Sequence, residues 1–391
     1  MTTSTASPPD PRATASTSST SSPPPPPSKP KDKDTIPTRL LLLSDTHVRA
    51  RSKNPLPFPV PSIPVDIVIH AGDITDASTL TEFNLCLSYL RQLNAPLKLL
   101  IAGNHDYTLD LPVYSQYTTH SSSLGAGIFS RQKGGLGDLS EAHRLLSDAR
   151  KDGIFYLEEG THRFELANGA TLTVYASPAT PAFGSFGFQY GAEEGHVFDI
   201  LPETDIVISH GPPRGVLDVS RLTRQSCGSV ELWERVKEVR PKLNVFGHIH
   251  EAWGAAVVRW PRSGSGMGIG AGEGAGAGKG QVGRGKGKGE KEKGVEMTVL
   301  MDRRDVEVGW LRESKEERRR KEERVERILR DGYCHLEYPE KKGGSEQTLF
   351  VNAAVPNAPG LAPWLVDVEL PRSVGDAKGG STPAEEGKIG K

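Results

Sequence analysis

Five short apolar runs, each breaking directly into Asp, His or Asn, constrain this chain more than any other feature. Leu40–Leu43 ends in Ser44-Asp45-Thr46-His47, Asp66–Ala71 in Gly72-Asp73, and Leu97–Ala102 in Gly103-Asn104-His105-Asp106. Asp205–Ser209 ends at His210, and Leu243–Phe246 ends in Gly247-His248-Ile249-His250. Runs this short and this apolar have the length of buried strands. In α/β sheets the C-terminal edge of the strands is where ligands bind, so five polar breaks at that edge predict one shared site.

The segments between the runs read as helices. Leu80, Phe83, Leu87 and Leu90 recur at spacings of three and four, which predicts a helix within Ser78–Leu93 that buries one face. Asp138 with Glu141 forms a capping-box pattern ahead of Leu139, Ala142, Leu145 and Ala149. Val230, Trp233 and Val236 mark another helix, stopped before Pro241. Alternating strands and helices predict an α/β architecture. Thr171–Tyr175, Met297–Met301, Val306–Trp310 and Thr348–Ala354 add strands. Glu313–Arg330, with fourteen charged residues of eighteen, predicts an exposed helix laced by Glu316/Arg320, Glu317/Lys321 and Glu323/Arg327. Val325, Ile328 and Leu329 are its anchor.

Composition sets the boundaries. Of 391 residues, 1–35 hold nine Pro and 261–294 hold fourteen Gly. The first reads as a disordered Ser/Thr/Pro-rich tail and the second as a Gly/Lys insertion in a loop between two strands, tolerated because loop entropy grows slowly with length. One domain over 36–356 is expected, with charged helical insertion 313–330 and a disordered tail at 357–391. Pro23–Pro27 favours an extended polyproline II segment, read first as part of a solvated tail and second as a stretch that could dock the aromatic groove of an SH3- or WW-type partner.

Lys plus Arg numbers 48 and Asp plus Glu 49, a net charge of −1. That balance argues against a whole-protein grip on nucleic acid or anionic membrane. No apolar run approaches the roughly 20 residues needed to span a bilayer, and the N-terminus lacks the apolar core of a signal peptide. Cys86, Cys227 and Cys334 are too few and too scattered for a disulfide framework or a thiolate zinc site. A reducing, cytoplasmic setting is the expectation.

The donors at the strand ends are only carboxylate, imidazole and amide: Asp45, His47, Asp73, Asn104, His105, His210, His248 and His250. A single His is usually a packing or surface residue; the argument rests on their conjunction. Such oxygen and nitrogen donors suit manganese, iron or zinc. Asp-x-His and His-x-His put both side chains on one side of an extended backbone. Seven donors without His105 exceed what one ion takes from a protein. Two divalent ions about 3.5–4 Å apart, with one carboxylate bridging, would use them all.

Ser44-Asp45-Thr46-His47, Gly72-Asp73-Ile74-Thr75-Asp76, Gly103-Asn104-His105-Asp106, Ser209-His210-Gly211-Pro212-Pro213 and Gly247-His248-Ile249-His250-Glu251 resemble, in order and spacing, the five motif blocks of the calcineurin-like metallophosphoesterases. Within that superfamily, His70-Ala71-Gly72-Asp73, the Ser-His-Gly-Pro-Pro and Gly-His-Ile-His-Glu blocks, the Ser177–Tyr190 stretch and Phe350-Val351-Asn352-Ala353 resemble the class III cyclic nucleotide phosphodiesterase-like group. That group includes the metallophosphoesterase-domain (MPPED, 239FB-like) proteins.

The resemblance implies a four-layer αββα sandwich of two mixed β-sheets flanked by helices, with metals at the sheet edge. It implies Asp45, His47 and His250 on a first metal, Asn104, His210 and His248 on a second, and Asp73 between them. Manganese leads the expected metals, with iron or zinc as alternatives. His105 would contact the phosphoryl oxygen or protonate the leaving group, helped by Asp106. The implied reaction is in-line attack of a metal-bridging hydroxide on a small phosphodiester, cyclic nucleotides included. A phosphoprotein phosphatase, a nuclease and a catalytically weak metal-binding scaffold are the alternatives.

Outside the ligand set, His70, Thr75, Asp76 and Glu251 are expected to orient ligands or pack. Phe183, Phe186, Phe188 and Tyr190 would either stack a nucleobase or form the core of their own loop. Arg214 is a candidate phosphate contact.

Overall fold

The computed structural model describes residues 34–50, 59–120, 137–261, 295–307, 313–340, 346–355 and 361–373. Strands β1 (Thr35–Leu43), β2 (Ile67–His70), β3 (Leu97–Leu100) and β4 (Ile154–Tyr156) run parallel, side by side. Next come the antiparallel pair β5 (Gly160–Glu165) and β6 (Thr171–Ser177), and a short pair, β7 (Thr180–Pro181) and β8 (Gln189–Tyr190). Strands β9 (Ile206–Ser209) and β10 (Leu243–Phe246) lie parallel to β6. Then follow β11 (Gly254–Arg259), β12 (Glu296–Asp302), β13 (Cys334–Leu336), β14 (Gln347–Asn352) and β15 (Trp364–Pro371). They assemble into two mixed sheets, β13-β15-β1-β2-β3-β4 and β12-β11-β14-β10-β9-β6-β5.

Period-two alternation decides the layers. Leu40, Leu42, Ile67, Ile69 and Leu99 of the first sheet meet Leu172, Val174, Ile206, Ile208, Leu243, Val245, Leu349 and Val351 of the second in one core between the sheets. The residues between them face outward. Leu41, Leu43, Val68 and Leu100 pack under helices α1 (Leu80–Gln92) and α3 (Leu139–Asp148), against Phe83, Leu87, Leu90, Ala142 and Leu146. The other outer face, with Tyr175, Val207, Phe246 and Phe350, packs under α4 (Val230–Val239) through Leu232 and Val236. Helix α2 (Leu111–His120) follows the turn after β3, and α5 (Lys315–Asp331) precedes β13. The expected four layers are present.

Local signals hold closely. Thr79 and Glu82 close a capping box at the start of α1. Asp138 accepts from the Glu141 N–H, and α4 ends at Arg240 with φ +54, just before Pro241. The strands on either side of 261–294, β11 and β12, pair antiparallel; 262–294 of the insertion lie outside the described residues, as do 1–33 with Pro23–Pro27.

Four expectations change. Strand β1 takes in Thr35, the last residue of the stretch expected as tail. The stretch after 357 is not wholly a tail, because Trp364–Pro371 forms β15, antiparallel to β1 and parallel to β13. Val306–Trp310 is not a strand where it is described: Val306 follows a 3-10 turn over Arg303–Asp305, and 308–312 lie outside the described residues. On α5, Glu316 pairs with Arg320, but Lys321 pairs with Glu313 and Arg319 with Glu323. The helix docks through Ile328, with Val325 beside it, which turns Lys321 inward and redirects its charge.

Candidate metal centre

The strand ends deliver their side chains by an abrupt change of backbone. Asp45 (φ +54), His47 (φ +40), Asp73 (φ +51) and His248 (φ +66) all sit in the left-handed region. They are four of the nine non-glycine residues with positive φ among those described. Each such residue costs on the order of 1–3 kcal/mol and persists only where its surroundings hold it. Here the loops after β1 and β2 zip together: Asp45, His47 and Val48 donate to the Gly72, Asp73 and Ile74 carbonyls at 2.9, 3.2 and 3.3 Å. Thr46 Oγ1 adds a bond to the Ile74 carbonyl, and His70 Nε2 lies 2.9 Å from the same hydroxyl, which gives His70 a bracing role.

The seven predicted ligands converge from both sheets. Asp45 Oδ1 lies 3.0 Å from His250 Nε2, and His47 Nε2 lies 3.2 Å from His250 Nε2 and 3.3 Å from Asp73 Oδ2. On the other side, Asn104 Oδ1 is 2.9 Å from His210 Nε2 and 2.6 Å from His248 Nδ1, while Asp73 Oδ1 is 3.4 Å from His210 Nε2. The Asp73 carboxylate therefore spans two groups of donors, one oxygen toward each. Asp45, His47, Asp73 and His250 each offer a ligand atom within 4.8 Å of the others. His210 Nδ1 sits 2.9 Å from the Ala71 carbonyl, which turns Nε2 toward the centre.

Burial by itself would raise both carboxyls, yet His250 beside Asp45 and His210 beside Asp73 hold them well below the usual carboxylate range. Burial opposes charge on His210 too, but Asp73 wins and raises it to about 9; His250 is raised in the same way by Asp45. Burial dominates at His47 and His248, lowering both to about 4. The pocket thus favours two carboxylates, neutral imidazoles at His47 and His248 and an imidazolium at His210, with His250 shifted toward its charged form. Its charge is balanced by protons at positions where a divalent cation would sit better. Imidazole nitrogens 3.2 Å apart, carboxylate oxygens and an amide oxygen facing common points fit such cations by donor type.

His105 stands beside this centre rather than in it. Its N–H donates to Asp73 Oδ1 at 2.8 Å, its Nδ1 lies 3.0 Å from the Asp76 carbonyl, and its ring meets His47 edge-on at 4.5 Å. Asp106 does not assist it directly. The Asp106 carboxylate accepts from the Ile74, Thr75 and Gly103 N–H groups and the Thr75 hydroxyl, fastening the two loops. Burial raises it to about 6. The Asp76 carboxylate takes Arg49 at 3.1 Å and lies 3.8 Å from His47 Nδ1. Glu251 accepts from the Arg221 N–H and so braces a neighbouring loop.

The aromatic candidates separate. The Phe186 ring lies 5.1 Å from His105 and stacks with Tyr107 at 6.3 Å. Phe183 is exposed on the loop. Phe188 is half-buried and packs against the core beneath α1 and α3, and Tyr190 is buried with its hydroxyl on Ser229, which leaves Tyr190 no face for stacking a ligand. Their loop is tied to the site by the Gly187 N–H, which donates to the Asn104 carbonyl at 2.9 Å. Arg214 is exposed, and its guanidinium makes no hydrogen bond or ion pair with the centre.

With this geometry in place, comparison with known proteins is decisive at the level of family. A family model for calcineurin-like phosphoesterases matches residues 38–252, more than half of the chain. The chain belongs to the calcineurin-like phosphoesterase family. Among similar proteins, metallophosphoesterase domain-containing protein 1 of Homo sapiens is 30% identical over 48% of this chain and 55% of its own length. A UPF0046 protein of Caenorhabditis elegans is 32% identical over 49% of this chain and 47% of its own. A protein of Emericella nidulans named probable rhamnogalacturonate lyase C is 34% identical over 50% of this chain but only 16% of its own length. The chain thus spans about half the length, or less, of these relatives. Among the described residues no helix is long and apolar enough to cross a membrane.

Proposed function

We propose that this phosphoesterase-family chain hydrolyses a small phosphodiester, with cyclic nucleotides among its substrates, using two divalent cations of which manganese is the leading choice. The observation that carries the reading is the Asp73 carboxylate facing two donor groups, Asp45/His47/His250 and Asn104/His210/His248. Cations bound there would neutralise phosphoryl oxygens and lower the pKa of a water toward ~7. His105, with Nδ1 taken by the Asp76 carbonyl, keeps Nε2 to hold or release a proton at the leaving oxygen. Phe186, beside His105, forms an apolar wall on the leaving-group side.

The test is turnover by purified chain supplied with Mn2+. Bis-(p-nitrophenyl) phosphate is expected to be cleaved faster than p-nitrophenyl phosphate. A faster monoester rate would overturn the diesterase reading. No turnover with Mn2+, Fe2+ or Zn2+ would favour a metal-binding scaffold.

A further inference from the structure

The loop Gly247-His248-Ile249-His250 carries one ligand candidate for each donor group, and its conformation is strained. The Ile249 N–H donates to the Gly247 carbonyl at 2.7 Å, closing a three-residue turn on His248 with φ +66. A γ-turn with positive φ at its centre is rare and unfavourable by itself. Something must hold it. On one side the Asp45 carboxylate accepts from the His248 N–H at 3.0 Å. On the other, the Ile249 carbonyl, between the two histidines, accepts from Asn352 Nδ2 at 3.0 Å.

Asn352 is the last residue of β14 and has no exposed surface. Its second side-chain N–H donates to the Leu217 carbonyl at 3.2 Å, and its Oδ1 accepts from the Ala354 N–H at 3.2 Å. Its own carbonyl accepts from Trp364 Nε1 at 3.2 Å, and Trp364 stacks on Trp253 at 4.2 Å. The carboxamide is therefore fully bonded by Ile249, Leu217 and Ala354, while Trp364 holds only the Asn352 main chain. It lies a hundred residues beyond the ligands it supports and outside the segment matched by the family model.

We propose that Asn352 is a positioning residue for the metal centre. Its carboxamide clamps the strained turn so that His248 and His250 already point into their donor groups before a cation arrives. This rests on the metal-dependent reading above. Groups that fix metal ligands from behind typically contribute tenfold to a hundredfold in metal affinity or activity.

The experiment uses the full chain and Mn2+ alone. Asn352→Asp keeps the shape but replaces the donor N–H groups by carboxylate oxygens facing two carbonyls. Its Mn2+ affinity should weaken by about tenfold to a hundredfold, with kcat lowered and KM for the diester unchanged. Trp364→Phe, which leaves both carboxamide donors in place, should lower thermal stability and leave Mn2+ affinity unchanged. Amide hydrogen exchange over 247–252 in the metal-free wild-type chain should be slow, because the clamp holds the turn without metal. Fast exchange there, unchanged affinity in Asn352→Asp, or an equal affinity loss in Trp364→Phe would overturn the proposal. Should Asn352→Asp not fold, the wild-type exchange decides. A wild-type chain that binds no Mn2+ counts against the metal reading, and exchange still tests the clamp.

Discussion

The Asp45 carboxylate occupies the space that a side chain at Gly247 would need: a Cβ there would lie 1.9 Å from Asp45 Oδ2. The two residues come from different sheets, so this contact seats one sheet edge against the other. Gly103 is confined in the same way, with its Cβ position 2.3 Å from Asp73 Oδ1. Gly247→Ala should therefore displace Asp45, weaken metal binding, and destabilise the chain by about 1–3 kcal/mol or more as an overpacking change. Metal content and a denaturation midpoint check both effects.

Asp73 joins the two donor groups, so Asp73→Asn should remove more than any other single ligand change. Diesterase turnover is expected to fall on the order of a hundredfold or more, since cation charge in such sites is worth several kcal/mol. The bound Mn2+ per chain, measured by elemental analysis, should fall with it.

Metal binding should release protons. His210, raised to about 9, favours its protonated form at neutral pH in the metal-free pocket, and Asp45 shifts His250 in the same direction. Cations compete with those protons, so Mn2+ affinity should climb as pH rises from about 6.5 toward 9. The sign for stability is opposite. A histidine raised in the folded state adds stability below its ordinary pKa of about 6.5 and loses it as pH rises through the folded value. Metal-free chain should thus lose the His210 contribution between about 6.5 and 9. Calorimetry in buffers of different ionisation enthalpy reads the proton release; flat affinity across that range would contradict the charge balance.

Phe186 and Phe188, two residues apart, should behave differently. Phe186→Ala removes the wall beside His105 and should raise KM for an aromatic diester about tenfold, on the scale of ring stacking, with little loss of stability. Phe188→Ala should cost roughly 2–3 kcal/mol of stability, since its half-buried ring packs against the hydrophobic core. Phe183→Ala, on the exposed loop, should change neither.

Ending the chain at 356 should abolish folding. The buried Trp364, Val366, Val368 and Leu370 of β15 each contribute about 1.5–3 kcal/mol, a sum comparable with the whole stability of a typical domain. Loss of soluble, cooperatively melting protein is the expected result.

The sequence by itself determined the five strand ends and singled out the seven side chains that the fold brings together. Short apolar runs and abrupt polar breaks are local features, and a donor's chemistry belongs to its side chain. Helices α1, α3 and α4 were legible for the same reason, through spacing and caps. What only the tertiary structure decided is how remote segments complete these parts. β15 follows Pro359-Gly360-Leu361-Ala362-Pro363 and reads as a trailing segment, but pairing with β1 and β13 gives it two neighbours and a core. Asp106 sits next to His105 in sequence, yet its carboxylate turns to backbone N–H groups that converge on it only in the fold. Asn352 belongs to a stretch that carries the family resemblance, but its contact with the turn that holds His248 exists because β14 ends beside it. Donor identity is written in single residues. Direction and support arise from contacts between residues far apart in sequence, which no local pattern encodes.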